Sequence, residues 1–168
     1  MRSELLNGGA YCRSAFVAIN KTATAAGSGD NTEVDGAVID RKHPTEGGLA
    51  MSAKLMLPFT TTLGGAETLK FAVQVQSGAL ADGSDMADYG TGIATTTVAT
   101  GDSGGSTETG VAEVDIDLSG AGRYVRVQPT PNLSASGTDT AEWAAIMALF
   151  GDSRQPSSLK IGNVGSPI

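Results

Sequence analysis

Between Val111 and Gln128 the chain reads VAEVDIDL, then SGAG, then RYVRVQ. Val114, Ile116 and Leu118 alternate with Glu113, Asp115 and Asp117, and beyond the Gly-rich SGAG segment Val125 and Val127 flank Arg126. A period of two, apolar and charged in turn, fits a strand with one buried face and leaves no stripe for a helix to bury. With Ser119–Gly122 as its loop, the stretch predicts a β-hairpin in which Leu118 pairs with Arg123, Ile116 with Val125, Val114 with Val127 and Asp115 with Arg126. Apolar side chains would meet on one face and opposite charges on the other, so this register is self-consistent.

The same alternation recurs. Met51, Ala53, Leu55 and Leu57 share one face of a strand over 49–57 that Pro58 stops; Leu69, Phe71, Val73 and Val75 share one face of a strand over 69–76. Further strands are expected at 13–20, 33–40 and 91–100. Residues 21–31, 41–48, 60–67, 77–90, 101–110 and 129–140 read as loops or weak edge strand. The six prolines, Pro44, Pro58, Pro129, Pro131, Pro156 and Pro167, all fall between or at the ends of these strands. The run AEWAAIMALF, 141–150, holds strong helix formers, yet it is short, lacks a helical stripe and closes a series of strands. It is read as a buried central strand, with helix as the alternative. The result is about eight strands separated by polar loops, an all-β, jelly-roll-like antiparallel β-sandwich. One domain is expected over 1–168, with an N-terminal arm at 1–12, the sandwich at 13–150 and a C-terminal arm at 151–168.

Charge narrows the function classes. The formal net charge of −7 disfavours nucleic acid and anionic membrane as partners, since both call for a basic patch. No secretory signal and no apolar run of membrane-spanning length is read in the sequence. Cys12 is the sole cysteine, which excludes an intrachain disulfide and a CxxC motif and leaves either an inert thiol or a disulfide between copies.

Several motifs could carry chemistry. Gly101-Asp102-Ser103-Gly104-Gly105 spells the sequence around a serine-protease nucleophile, and His43 with Asp82 or Asp85 gives the order His, Asp, Ser. Against it, His43 sits in RKHPTE, the chain is short for two barrels, and GDSGG runs on into STETG rather than an apolar strand. Asp30, Asn31 and Asp35, and again Asp82, Asp85 and Asp88, offer oxygen ligands for calcium, but neither group has the order of an EF-hand loop. A lone His43 does not make a zinc site. Arg123 and Arg126 could take an anion, though Arg126 is expected to pair with Asp115. Trp143 and Tyr124 could form a sugar platform, though the apolar run around Trp143 favours the core. Asn132-Leu133-Ser134 matches a glycosylation acceptor, with little meaning where no secretory signal is read. The expectation is therefore no catalytic, cofactor-binding or metal-binding residue, no cofactor and no enzyme activity.

The segments TATAAGSGDNTEVDGAVID (22–40), LKFAVQVQSGALADGSDMADYGT (69–91) and GAGRYVRVQPTPNLSASGTDTAEWAAIMALFGD (120–152) carry a resemblance to the small jelly-roll cement, or decoration, proteins of tailed-bacteriophage heads. The order of features matches over most of 20–152. The resemblance implies a virion structural protein, made in the host cytoplasm, that sits as a homo-oligomer on the outer surface of the capsid. It would bind the major capsid protein and bridge neighbouring subunits through its N-terminal arm, loops and C-terminal tail. The rival expectation is a carbohydrate-binding or adhesin-like sandwich of a phage tail or cell surface.

Overall fold

The computed structural model describes residues 12–44, 47–135 and 137–151, and all statements of absence below concern these. The expected arms, apart from Cys12 and Gly151, lie outside them. The chain forms β1 (Cys12–Thr24), β2 (Ile39–Asp40), β3 (Ser52–Leu63), β4 (Thr68–Gly78), β5 (Ala87–Asp88), β6 (Ile93–Thr100), β7 (Ser106–Asp117), β8 (Tyr124–Leu133) and β9 (Thr140–Phe150). No described residue is helical.

Two antiparallel sheets result. One has the order β1-β9-β3-β7; the other runs β2-β8-β4, with β5 and β6 sharing the far edge of β4. Set β5 aside, and the order is that of a long hairpin rolled up: β4 against β6, β3 against β7, β2 against β8 and β1 against β9. That is the jelly roll. Inward residues from both sheets make the core: Leu55, Leu57, Phe59, Trp143, Met147 and Leu149 from one, Leu69, Phe71, Val73, Val125 and Val127 from the other. Phe71 joins the layers, its ring edge-on to Trp143 at 5.4 Å and tilted to Phe59 at 6.5 Å.

Where the alternation predicts strands it predicts their inward faces. Leu69, Phe71, Val73 and Val75 are all buried, as are Ala53, Leu55 and Leu57. Met51 is not: it precedes β3 and is exposed. The run 141–150 is a strand, central between β1 and β3, as expected.

The predicted hairpin does not exist. β7 pairs with β3 and β8 pairs with β4 and β2, so the segment 119–122 crosses from one sheet to the other. Asp115 meets Lys54 at 2.9 Å, and Arg126 meets Gln76 and Asp35 instead of Asp115. β7 does bury Ile116 and β8 buries Val125 and Val127, but from opposite layers. A buried face fixes which way a side chain points and says nothing about which strand lies alongside.

Three prolines lie inside strands, against expectation. Pro58 continues β3 rather than ending it, and the β3–β9 ladder skips Leu57 and Pro58, where the missing N–H falls. Pro129 and Pro131 lie within β8. Their carbonyls accept from Val34 and Asn31, so their missing N–H groups face that irregular segment and not the ladder to β4. The segment over 33–40 is strand only at Ile39–Asp40. Gly36 donates to Val127 of one sheet while Ala37 donates to Val17 of the other, so this stretch bridges the layers and cannot follow one ladder. A Cβ at Gly36 would collide with the Val127 carbonyl oxygen. β7 begins at Ser106, inside the loop expected at 101–110, because Thr107 and Thr109 stand beside Thr62 and Thr60 with hydroxyl oxygens 3.3 and 3.4 Å apart.

Candidate interaction surface

The connections gather at two ends. At one, Gly101 donates to Glu67, and Asp139 accepts from Gly64 at 2.9 Å and gives its carbonyl to Ala25. At the other, Tyr89 accepts from Gly120, and the buried Arg41 donates to the carbonyls of Ala50 at 2.9 Å, Gly122 at 2.8 Å and Ala121. Burial pushes the Arg41 guanidinium down from its usual value, but it stays charged at any ordinary pH. Three carbonyls in place of a carboxylate satisfy it and tie the 41–50 connection to the 119–122 crossing.

This geometry separates the protease residues. Ser103 lies in the β6–β7 turn, where its carbonyl lines Gly65, and His43 lies in the β2–β3 connection, where its N–H donates to Gly48. The two are at opposite ends of the sandwich, and no triad is assembled from them.

The acidic loops are occupied by their own backbone. Asp30 accepts from the N–H groups of Ala26 and Leu133; Asp85 accepts from those of Ala79 and Leu80. Asp82 accepts from the Ser84 N–H and hydroxyl, which hold its carboxyl below the usual range. Asp88 accepts from Gln76, and Asp35 from Gln128. Among the described residues no group of three His, Cys, Asp or Glu is placed to hold a metal. Trp143 is 3% exposed, which removes it as a sugar platform; Tyr124 is half-buried under the Arg123 guanidinium, 5.0 Å from its ring centre. Arg123 is held by Asp40 at 2.7 Å. Asn132 and Ser134 sit at the end of β8, engaged with Asn31 and with Glu67 and Thr68. Cys12 heads β1 opposite Phe150, half-buried.

What the sequence reading missed is a face. On the outside of the β1-β9-β3-β7 sheet, Phe16 stands opposite Ile146, Ile146 opposite Met56, and Pro58 opposite Val111. Ala144, Ala148 and Phe150 continue the patch along β9, and Ile19 stands exposed on β1. Val111 and Ile19 are each 55% exposed. A shallow groove of about 630 Å³ crosses all four strands here, walled by Asn20, Thr22, Pro58, Thr60, Thr109, Val111, Glu142 and Ala144. Lys54, bonded to Glu113 at 3.1 Å and Asp115 at 2.9 Å, forms part of a charged rim. An apolar centre with a polar rim is the composition of an interaction site. The signal was in the sequence as Ala144, Ile146, Ala148 and Phe150, the second apolar set of β9, which reads as core until the layer beside it is known.

No protein-family model and no curated protein matches the chain. Among solved structures, the chain is similar to T=1 particles derived from infectious bursal virus, with 11% identity over 86% of this chain and a TM-score of 0.39. It is similar also to the VP2 subviral particle of infectious bursal disease virus (9%, 84%, 0.34) and to that virus's Gx strain (14%, 83%, 0.37). It spans about a third of the length of those chains, 33%, 33% and 30%.

Proposed function

We propose that this protein is a virion structural protein, a capsid decoration protein that sits on the outer surface of a phage head and ties neighbouring capsid subunits together without catalysis. The observation that carries the reading is the outward apolar face of the β1-β9-β3-β7 sheet, centred on Phe16, Ile146, Met56 and Val111 and mounted on a rigid jelly roll. A body that binds only the assembled shell stabilises that shell by mass action, and it needs contact area and rigidity rather than reactive groups. The sequence resemblance to decoration proteins of tailed phages points the same way. On this reading the partners are the major capsid protein and further copies of this chain, and residues 1–12 and 151–168 supply additional contacts.

Co-sedimentation with capsid shells stripped of their decoration, over a salt series, tests it. Saturable binding at a fixed ratio to shell subunits is expected, persisting at high salt because the contact is apolar. Absence of binding at every salt concentration overturns it. A parallel series with reductant asks whether Cys12 joins copies covalently; loss of bound protein there assigns it that role.

A further inference from the structure

We propose that the outer edge of β7 pairs with β7 of a second copy of this chain, antiparallel, about a two-fold axis at Ala112. This pairing gives a geometry to the self-association in the proposed function and rests on that part of it alone.

The sandwich has four sheet edges, and three are broken. β1 carries register shifts between Phe16 and Ala18 and between Ala18 and Lys21, with Asn20 at a φ of 51°. β2 is two residues long. The edge beyond β4 is divided between β5 and β6, with shifts along β6. Such bulges and short strands are how exposed edges are kept from pairing. β7 has none of them. Its register with β3 is continuous from Ser106 to Asp117, and no described strand lies on its other side.

The direction of its free groups follows from one bond. Leu118 donates to Met51, so even-numbered residues of β7 turn their backbone groups toward β3 and odd-numbered ones turn theirs away. Thr107, Thr109, Val111, Glu113, Asp115 and Asp117 therefore present N–H and C=O groups along the open edge. The strand also complements itself. Its first half is Thr-rich and its second half acidic. Pairing about Ala112 sets Thr107 against Asp117, Thr109 against Asp115 and Val111 against Glu113. All six outward residues are used and no carboxylate faces another, whereas a shift toward the C-terminus brings Glu113 against Asp115. Lys54 already sits on Glu113 and Asp115 in each copy, which reduces the repulsion that remains. The axis would also bring the Val111 ends of the two apolar faces together into one continuous surface.

Hydrogen exchange and sedimentation on the full-length protein decide it. The amides of the six odd residues should gain protection as concentration rises, in step with a shift from one-chain to two-chain mass. Val111→Pro removes an outward N–H without touching the β3 ladder, and should weaken the dimer by about tenfold or more. A wild-type protein that stays single-chain at every concentration overturns the proposal, and so does a dimer whose odd amides exchange as fast as in the monomer. If Val111→Pro fails to fold, the exchange pattern of the wild type still decides between pairing and its absence. Shell binding without odd-amide protection sinks this pairing and leaves the capsid reading standing. Protected amides without shell binding do the reverse.

Discussion

The two outward faces of the sandwich are built on the same pleat and end in opposite chemistry. On the β2-β8-β4 side, Gln76 bridges Arg126 and Asp88, Gln128 donates to Glu33 and Asp35, and Asn132 meets Asn31. Its polar side chains find partners within the chain, many of them on the segment 31–35 that lies across it. On the β1-β9-β3-β7 side the middle is Phe16, Ile146, Met56, Pro58 and Val111, and no described residue covers it. The difference teaches that burial and partnership are separate questions. A polar face closes on itself through hydrogen bonds; an apolar face is finished only by something else that excludes water.

For shell binding the contrast between the faces should be largest. Ile146→Glu places a charge in the centre of the apolar face and should weaken binding by about a hundredfold, while Lys70→Glu on the polar face should leave it within about twofold. Co-sedimentation would show it, and loss of binding with Lys70→Glu alone would move the contact to the other sheet.

For stability the order reverses, and substitutions on β9 should separate core from surface. Met147 and Ile146 are neighbours in sequence on opposite sides of one strand, and Met147 is fully buried. Met147→Ala should cost about 3 kcal/mol of unfolding free energy, and Ile146→Ala about 1 kcal/mol or less, read by chemical denaturation. Equal losses would mean that the outer patch belongs to the folding core and would dissolve the contrast between the faces.

The smallest effect concerns the edge of the polar sheet. Burial pushes the Asp40 carboxyl up, but hydrogen bonds from Arg123 and the Lys42 N–H, with the charges of Arg123 and Arg13, outweigh it and hold Asp40 below the usual carboxylate range. A carboxylate with a depressed folded pKa contributes stability above its unfolded pKa of about 4 and loses it as pH falls through the folded value. Asp40→Asn should therefore destabilise by about 1 kcal/mol at neutral pH, less in high salt, with the difference from wild type shrinking as the pH falls below about 4. Denaturation at several pH values checks this; a difference constant down to acid pH would assign Asp40 a packing role instead of an ionic one.

Legibility in the sequence was uneven for physical reasons. β4 was readable over 69–76, short only of Thr68, Ser77 and Gly78 at its ends, because Leu69, Phe71, Val73 and Val75 alternate without interruption and their hydrophobicity leaves one way to turn. β8 was readable only as far as Gln128, because Pro129 and Pro131 are strand breakers unless their missing donors face an irregular neighbour, and that neighbour comes from residues 31–34. The apolar patch was half visible: β9 has two apolar sets, and composition cannot say which one lacks a layer above it.

By itself the sequence determined that this chain is all-β, where most strands lie and which residues of each point inward, since a period of two and the cost of wetting apolar side chains act locally. Only the tertiary structure decided partners: β7 with β3 rather than β8, Asp115 with Lys54 rather than Arg126, Ser103 apart from His43, and the outer face of β9 left open. Pairing depends on which strands the rolled chain brings side by side, and that is set by the packing of two layers together, which no single stretch of sequence contains.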